Sequence, residues 1–346
     1  MREARNPLLE AAIDRDPSDE NFQVYADWMQ EHGNPRGELI ALDLARKTPA
    51  SIARDELDPK RFIHTWRAGF IDTIMFGGKP GQDVGDLARE ASASFSLRFV
   101  RAIELWLPTY YLEQTPADLV FETIGARPTL RVLRIESDVA TQTLSWTVGP
   151  DLAVLSRLYP DLVELWLHAG RYETTNIALP RLRRLTLRTT NATIANIRAV
   201  VDAAWPELEH LELWFGSSGY NSGTPVASVL DQLAVLLDKP FPKLRSLSLS
   251  NGEETNELIA LVLASPLLPQ LTALALTDST LTDPGAQLLL AHRAKLAHLS
   301  AIDLDQNYLT KEMLAELQRV LPVGSTAQRE PEINDGQPTY FANIGE

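Results

Sequence analysis

Apolar residues in this chain recur in a short stencil, LxxLxL, rather than in the unbroken run of a membrane span. Clear copies are Leu130-Leu133-Ile135, Leu162-Leu165-Leu167, Leu182-Leu185-Leu187, Leu208-Leu211-Leu213, Leu244-Leu247-Leu249, Leu271-Leu274-Leu276 and Leu299-Ile302-Leu304. Two less regular copies precede them, Ile71-Ile74-Phe76 and Val100-Ile103-Leu105, so nine strands are predicted. Alternation within each copy predicts a strand with one apolar face. A single copy cannot bury that face, so neighbouring copies must stack on a shared core. On this register Leu211 and Leu247 are core residues.

Successive copies begin 29, 30, 32, 20, 26, 36, 27 and 28 residues apart, and most of these steps accommodate a strand plus a helix. The intervening segments PADLVFETIGA, DLAVLSRLY, TIANIRAVVDAAW, PVASVLDQLAVLLD, NELIALVLA, DPGAQLLLAHRAKL and KEMLAELQRVL carry apolar residues at helical spacing. The shortest step, HAGRYETTNIALPRL, leaves no room for a helix. The longest contains GSSGYNSGTP at 216–225, an insertion of the kind that contacts ligands in some proteins and has no role in others.

The stencil resembles leucine-rich repeat proteins of the ribonuclease-inhibitor subtype over residues 70–321. The last two repeats match the longer pattern LxxLxLxxNxL best, through Leu271, Leu274, Leu276 and Leu281, then Leu299, Ile302, Leu304, Asn307 and Leu309, with Ser279 in place of the first asparagine. Elsewhere the ninth position is Pro108, Asp138, Gly170, Thr190, Gly216 or Gly252, so the turns need other hydrogen-bond partners. The fold expected is α/β: a curved parallel sheet of about nine strand-helix repeats, with a small helical module at the N-terminus.

That module occupies residues 1–47. Asn6 with Pro7, Ser18, and Asn34 with Pro35 predict three capped helices, the second carrying Phe22, Tyr25, Trp28 and Met29 and stopping at Gly33. Its aromatic residues are expected to dock on the first repeat. Tyr25-Ala26-Asp27-Trp28 and Gly33-Asn34-Pro35-Arg36-Gly37-Glu38 resemble a bacterial repeat-companion domain, which implies a bacterial, cytoplasmic setting and no defined activity. Residues 48–69 are expected to be a linker and a short helix through Phe62 and Trp66, with a break at Gly69. Residues 322–346 are expected to form a tail or cap, PTYFANI supplying a capping strand or a short linear motif.

Composition narrows the chemistry. The absence of cysteine removes disulfides, thiolate metal sites and thiol nucleophiles. A formal net charge of −14 disfavours nucleic acid and anionic membranes, and weakly favours basic partners. The first residues lack the apolar core of a secretory signal, and no apolar run is long enough to cross a bilayer. A cytoplasmic monomer is expected. The sequence indicates no cofactor or metal, and Gly77-Gly78-Lys79-Pro80-Gly81 lacks the ending of a phosphate loop.

Positions three, five and seven of the stencil point away from the leucines, into the hollow of such a repeat array. In repeats two to six they concentrate Trp106, Trp166 and Trp214 with Arg134, Arg184, Arg188, His168, His210, Glu104, Glu164 and Glu212. Tryptophan and arginine are enriched at binding hot spots, which points to a surface for a protein or peptide. The competing expectation is that the tryptophans stack on arginine and merely cover the sheet, and that the arginines pair with Glu136, Glu164 and Glu212. His168 and His210 beside carboxylates suggest acid-base or metal chemistry, but side chains on adjacent strands stand about 5 Å apart, which suits ion pairs better. A non-enzymatic interaction scaffold is therefore expected. The alternatives are a regulator of a partner enzyme, of the GTPase-activator or inhibitor type, and an enzyme with a His/Glu site in the groove.

Overall fold

The computed structural model describes residues 5–47, 57–77, 82–107, 115–137, 144–190, 192–216, 226–324 and 327–342. Three helices open the chain: α1 (Pro7–Arg15), α2 (Asp19–Glu31) and α3 (Pro35–Leu44). Asn6, Ser18 and Asn34 cap them with their side chains, as the sequence predicts.

Ten strands then form one sheet in chain order: β1 (Phe62–Arg67), β2 (Phe70–Gly77), β3 (Ala102–Leu107), β4 (Val132–Ser137), β5 (Glu164–His168), β6 (Arg184–Arg188), β7 (His210–Trp214), β8 (Ser246–Ser250), β9 (Ala273–Ala275) and β10 (Ala301–Asp303). Pairing is parallel from β2 onward, and the stencils align in register, Leu165 beside Leu185 and Leu211 beside Leu247. Between strands lie α4 (Val84–Ala93), α5 (Ala117–Ile124), α6 (Leu152–Leu158), α7 (Ile194–Asp202), α8 (Val226–Asp238), α9 (Thr255–Ala264), α10 (Asp283–Ala291) and α11 (Arg293–Leu296), and α12 (Lys311–Val320) follows the last of them. No helix separates β5 from β6, in agreement with the short step.

None of the apolar stencil positions is more than 4% exposed, so one core runs the length of the sheet beneath the helices. Burial of that face, at about 25 cal/mol per Å² of apolar surface, is the main favourable term for the array.

Two expectations are corrected. Phe62 and Trp66 belong to β1, a strand antiparallel to β2, and not to a helix. Spacing of four suits a strand as well as a helix, because Phe62, His64 and Trp66 share one strand face. Ala68 and Gly69, both at positive φ, close the hairpin. The sheet consequently has ten strands rather than nine. At the other end the capping pairing comes earlier than PTYFANI: Val323 pairs with Ile302, and Gln328 with Asn307. Residues Gln337–Thr339 (β12) instead pair with Glu332–Asn334 (β11) in a separate hairpin.

The turns after the strands do find other partners. Asn307 makes a buried amide bridge, donating to the carbonyls of Leu276 and Leu304 and accepting from Leu281 N–H. Ser279 accepts from Gly252 N–H at 3.0 Å. Thr147 accepts from Gly170 N–H at 2.8 Å, and Thr189 donates to the Gly170 carbonyl. Gly170 has no room for asparagine, since a Cβ there would lie 2.3 Å from the Leu144 carbonyl oxygen.

The helical module packs on the start of the sheet. Phe22, Tyr25 and Met29 share a buried cluster with Phe70 and Phe99. Beside it, Glu10 is 2% exposed and accepts from Arg5, from Tyr25 Oη at 3.0 Å and from Arg98 Nε at 3.1 Å. Arg98 also forks onto Asp14 through two nitrogens. Burial alone would raise the Glu10 pKa, but hydrogen bonds from Arg5, Tyr25 and Arg98 hold it below the usual glutamate range.

Candidate functional site

Positions three, five and seven lie on the sheet face turned away from the helices, and most are half-buried or exposed. His168, Thr186 and Ser250 depart from the expected openness and are buried. Strands stand about 4.8 Å apart, so large residues on one strand lean over smaller neighbours on the next. Thr186 lies between Trp166 and Glu212 in the ladder, and the His168 ring meets the Trp214 ring edge-on at 6.0 Å.

One cluster dominates this face. The Arg188 guanidinium lies 4.3 Å from the Trp166 ring centroid and 4.5 Å from that of Trp214, so it is held between the two indoles. Arg134 approaches the Trp166 ring at 5.9 Å. The result is a diagonal stack from β4 to β7, built from position five on β4 and β5 and position seven on β6 and β7. Cation-π contact of this kind contributes about 0.5–1 kcal/mol per pair at exposed sites. The stacking foreseen as the covering arrangement is thus present, while the rings remain partly exposed.

Trp106 stands on β3, two strands and roughly 10 Å from Trp166 at the usual strand spacing, and makes no ring contact with it. Its indole N–H donates to Glu104 Oε1 at 2.7 Å, a bond between two residues of one strand face. The three tryptophans therefore do not form one stack.

Charges on the face are mostly paired. Arg134 donates to Glu164 at 2.7 Å and Arg188 Nε to Glu212 at 2.7 Å. His168 Nδ1 lies 3.3 Å from Glu136 Oε2, and its Nε2 is buried without a partner. Arg184 is exposed and forms no ion pair among the described residues. Burial pushes the His210 pKa below the usual histidine range, and neighbouring Arg184 lowers it further against an opposing effect of Glu209.

The indole N–H groups of Trp166 and Trp214 are also buried without a hydrogen-bond partner. An unsatisfied buried donor costs about 1–3 kcal/mol, and this cost falls on the most aromatic part of the face. Sequence alone could not show it, because it depends on how the rings tilt around Arg188. Among the described residues, no group of three or more His, Asp or Glu side chains is placed to hold a metal ion. The insertion at 216–225 lies, apart from Gly216, outside the described residues.

No protein-family model matches the chain, and no curated protein sequence is significantly similar to it. It is similar in structure to a crystal structure of a Bacteroides fragilis protein determined as a structural genomics target. The TM-score is 0.60 at 25% sequence identity, over 75% of this chain and 72% of that one. Strands and helices alternating along a long, mostly parallel sheet are consistent with a repeat solenoid. No described helix is long and apolar enough to cross a membrane.

Proposed function

We propose that this chain is a leucine-rich repeat solenoid carrying an N-terminal companion module, and that it works as a non-enzymatic scaffold. A protein or peptide partner binds the face opposite the helices, which is the concave face of such a solenoid. The observation that carries this reading is the Trp166-Arg188-Trp214 stack. It is a large aromatic surface left partly open, with unsatisfied donors inside it, where core filling would have sealed the rings. Trp106 supplies a second, separate contact point. The His168-Glu136 pair is less suited to catalysis, because its imidazole is only 8% exposed and packs against Trp214.

The test is affinity capture with the Trp166→Ala, Trp214→Ala double variant against the unaltered chain. The variant loses about 1 kcal/mol of stability per cation-π contact removed and keeps its circular dichroism spectrum. If each ring contributes about 2 kcal/mol to binding, capture falls close to a thousandfold. Equal capture by a folded variant rejects this surface.

A further inference from the structure

We infer that the centre of this face, on β5 to β7, recognises carboxylate side chains of an acidic protein segment. The inference rests on the interaction reading above and specifies the partner's chemistry.

Arg184 and Arg188 stand there with Glu164 and Glu212, and the adjoining β4 adds Arg134 and Glu136. Each glutamate has a partner, Glu164 in Arg134, Glu212 in Arg188 and Glu136 in the His168 ring. Arg184 forms no ion pair among the described residues, since Glu164, which stands opposite it on β5, is bonded to Arg134.

Arg188 uses only Nε on Glu212, so its two terminal nitrogens keep their hydrogens free. The indoles on either side fix the plane of the guanidinium, which lowers the entropy cost of forming two parallel bonds to a carboxylate. Arg184 and Arg188 sit four residues apart on one strand face, roughly 13 Å along β6. One segment bearing two acidic residues can therefore engage both.

The overall charge of −14 opposes an acidic ligand at long range. At physiological salt that repulsion is screened beyond about 8 Å, whereas the short-range pairing is not. Recognition is thus local and runs against the weak preference for basic partners that net charge alone suggests.

The experiment uses the full chain, fluorescently labelled, on an array of capped peptides of about eight residues with acidic, neutral and basic compositions, at physiological ionic strength. The expected result is selection of Asp- and Glu-containing peptides, weakened about tenfold or more in Arg184→Gln, Arg188→Gln. Arg184→Gln alone removes an exposed, unpaired side chain and keeps the test valid if the double variant misfolds. Selection of Lys- and Arg-containing peptides overturns the inference, as does acidic binding untouched by either variant, or no peptide binding at all. If partner capture still depends on Trp166 and Trp214 in that event, only the carboxylate assignment falls and the interaction surface stands.

Discussion

Replacing Leu247 by alanine is expected to destabilise the protein by about 2–5 kcal/mol, measured by chemical denaturation. Leu247 is 1% exposed and pairs with Leu211 on β7 and Leu274 on β9, so the lost methyl groups leave a cavity in the middle of the shared core. Helices α8 and α9 pack over the same core and cannot close the gap without moving the strands. Ser246 and Ser248, its immediate neighbours, point to the other face and are half-buried. Ser248→Ala is expected to change stability by about 1 kcal/mol or less, through the loss of its hydrogen bond to the Ser250 hydroxyl. Equal effects at 247 and 248 would mean that the strand register is wrong.

Replacing Glu10 by alanine is expected to cost about 3 kcal/mol or more, with the loss localised. The carboxylate is 2% exposed, and its removal leaves the Tyr25 hydroxyl and Arg98 Nε without their acceptor. The Tyr25 hydroxyl stays buried without an acceptor, and Arg98 keeps its fork onto Asp14 but loses a charge-assisted bond from Nε. Arg5 adds little to this total, since its side chain is 55% exposed. Hydrogen exchange should rise in α1 to α3 and leave β5 to β8 protected; uniform loss across the chain would contradict a local role.

The same carboxylate sets a pH dependence. Its folded pKa is depressed, so its contribution to stability is complete above the ordinary glutamate range and is lost as pH falls through the lower folded value. Loosening of the helical module is therefore expected below about pH 4. Glu10→Ala should remove this acid-sensitive step.

Strand register was readable because a slip of one residue would expose every leucine, which leaves a single arrangement consistent with the pattern. The helix-free step between β5 and β6 followed from length alone. β1 was not readable, since spacing of four at Phe62 and Trp66 fits both periodicities and Ala68 gives no warning of positive φ. Turn satisfaction was also hidden. Thr147 reaches the Gly170 N–H from a separate segment, and Asn251, Asp278 and Gln306 adopt left-handed backbone at the eighth stencil position, φ 55°, 56° and 57°, without a glycine to mark it.

For the candidate site, the stencil placed Trp166, Arg188 and Trp214 on one face but not in contact. Their stacking depends on side-chain rotamers, with Trp166 and Arg188 two positions apart on adjacent strands and Arg188 and Trp214 at the same position, and no linear spacing encodes either contact. The pairing of Arg134 with Glu164 and of Arg188 with Glu212 was more accessible, because opposite charges on neighbouring strands of one face meet by geometry.

The most direct test of the proposed binding face is site-specific photocrosslinking to the captured partner. A photoreactive residue at Ser246, beside His210 on the sheet face, is compared with one at Val235, 51% exposed on α8. Crosslinks from position 246 and none from 235 are predicted. Crosslinks from 235 alone would place the partner on the helical side and contradict the account.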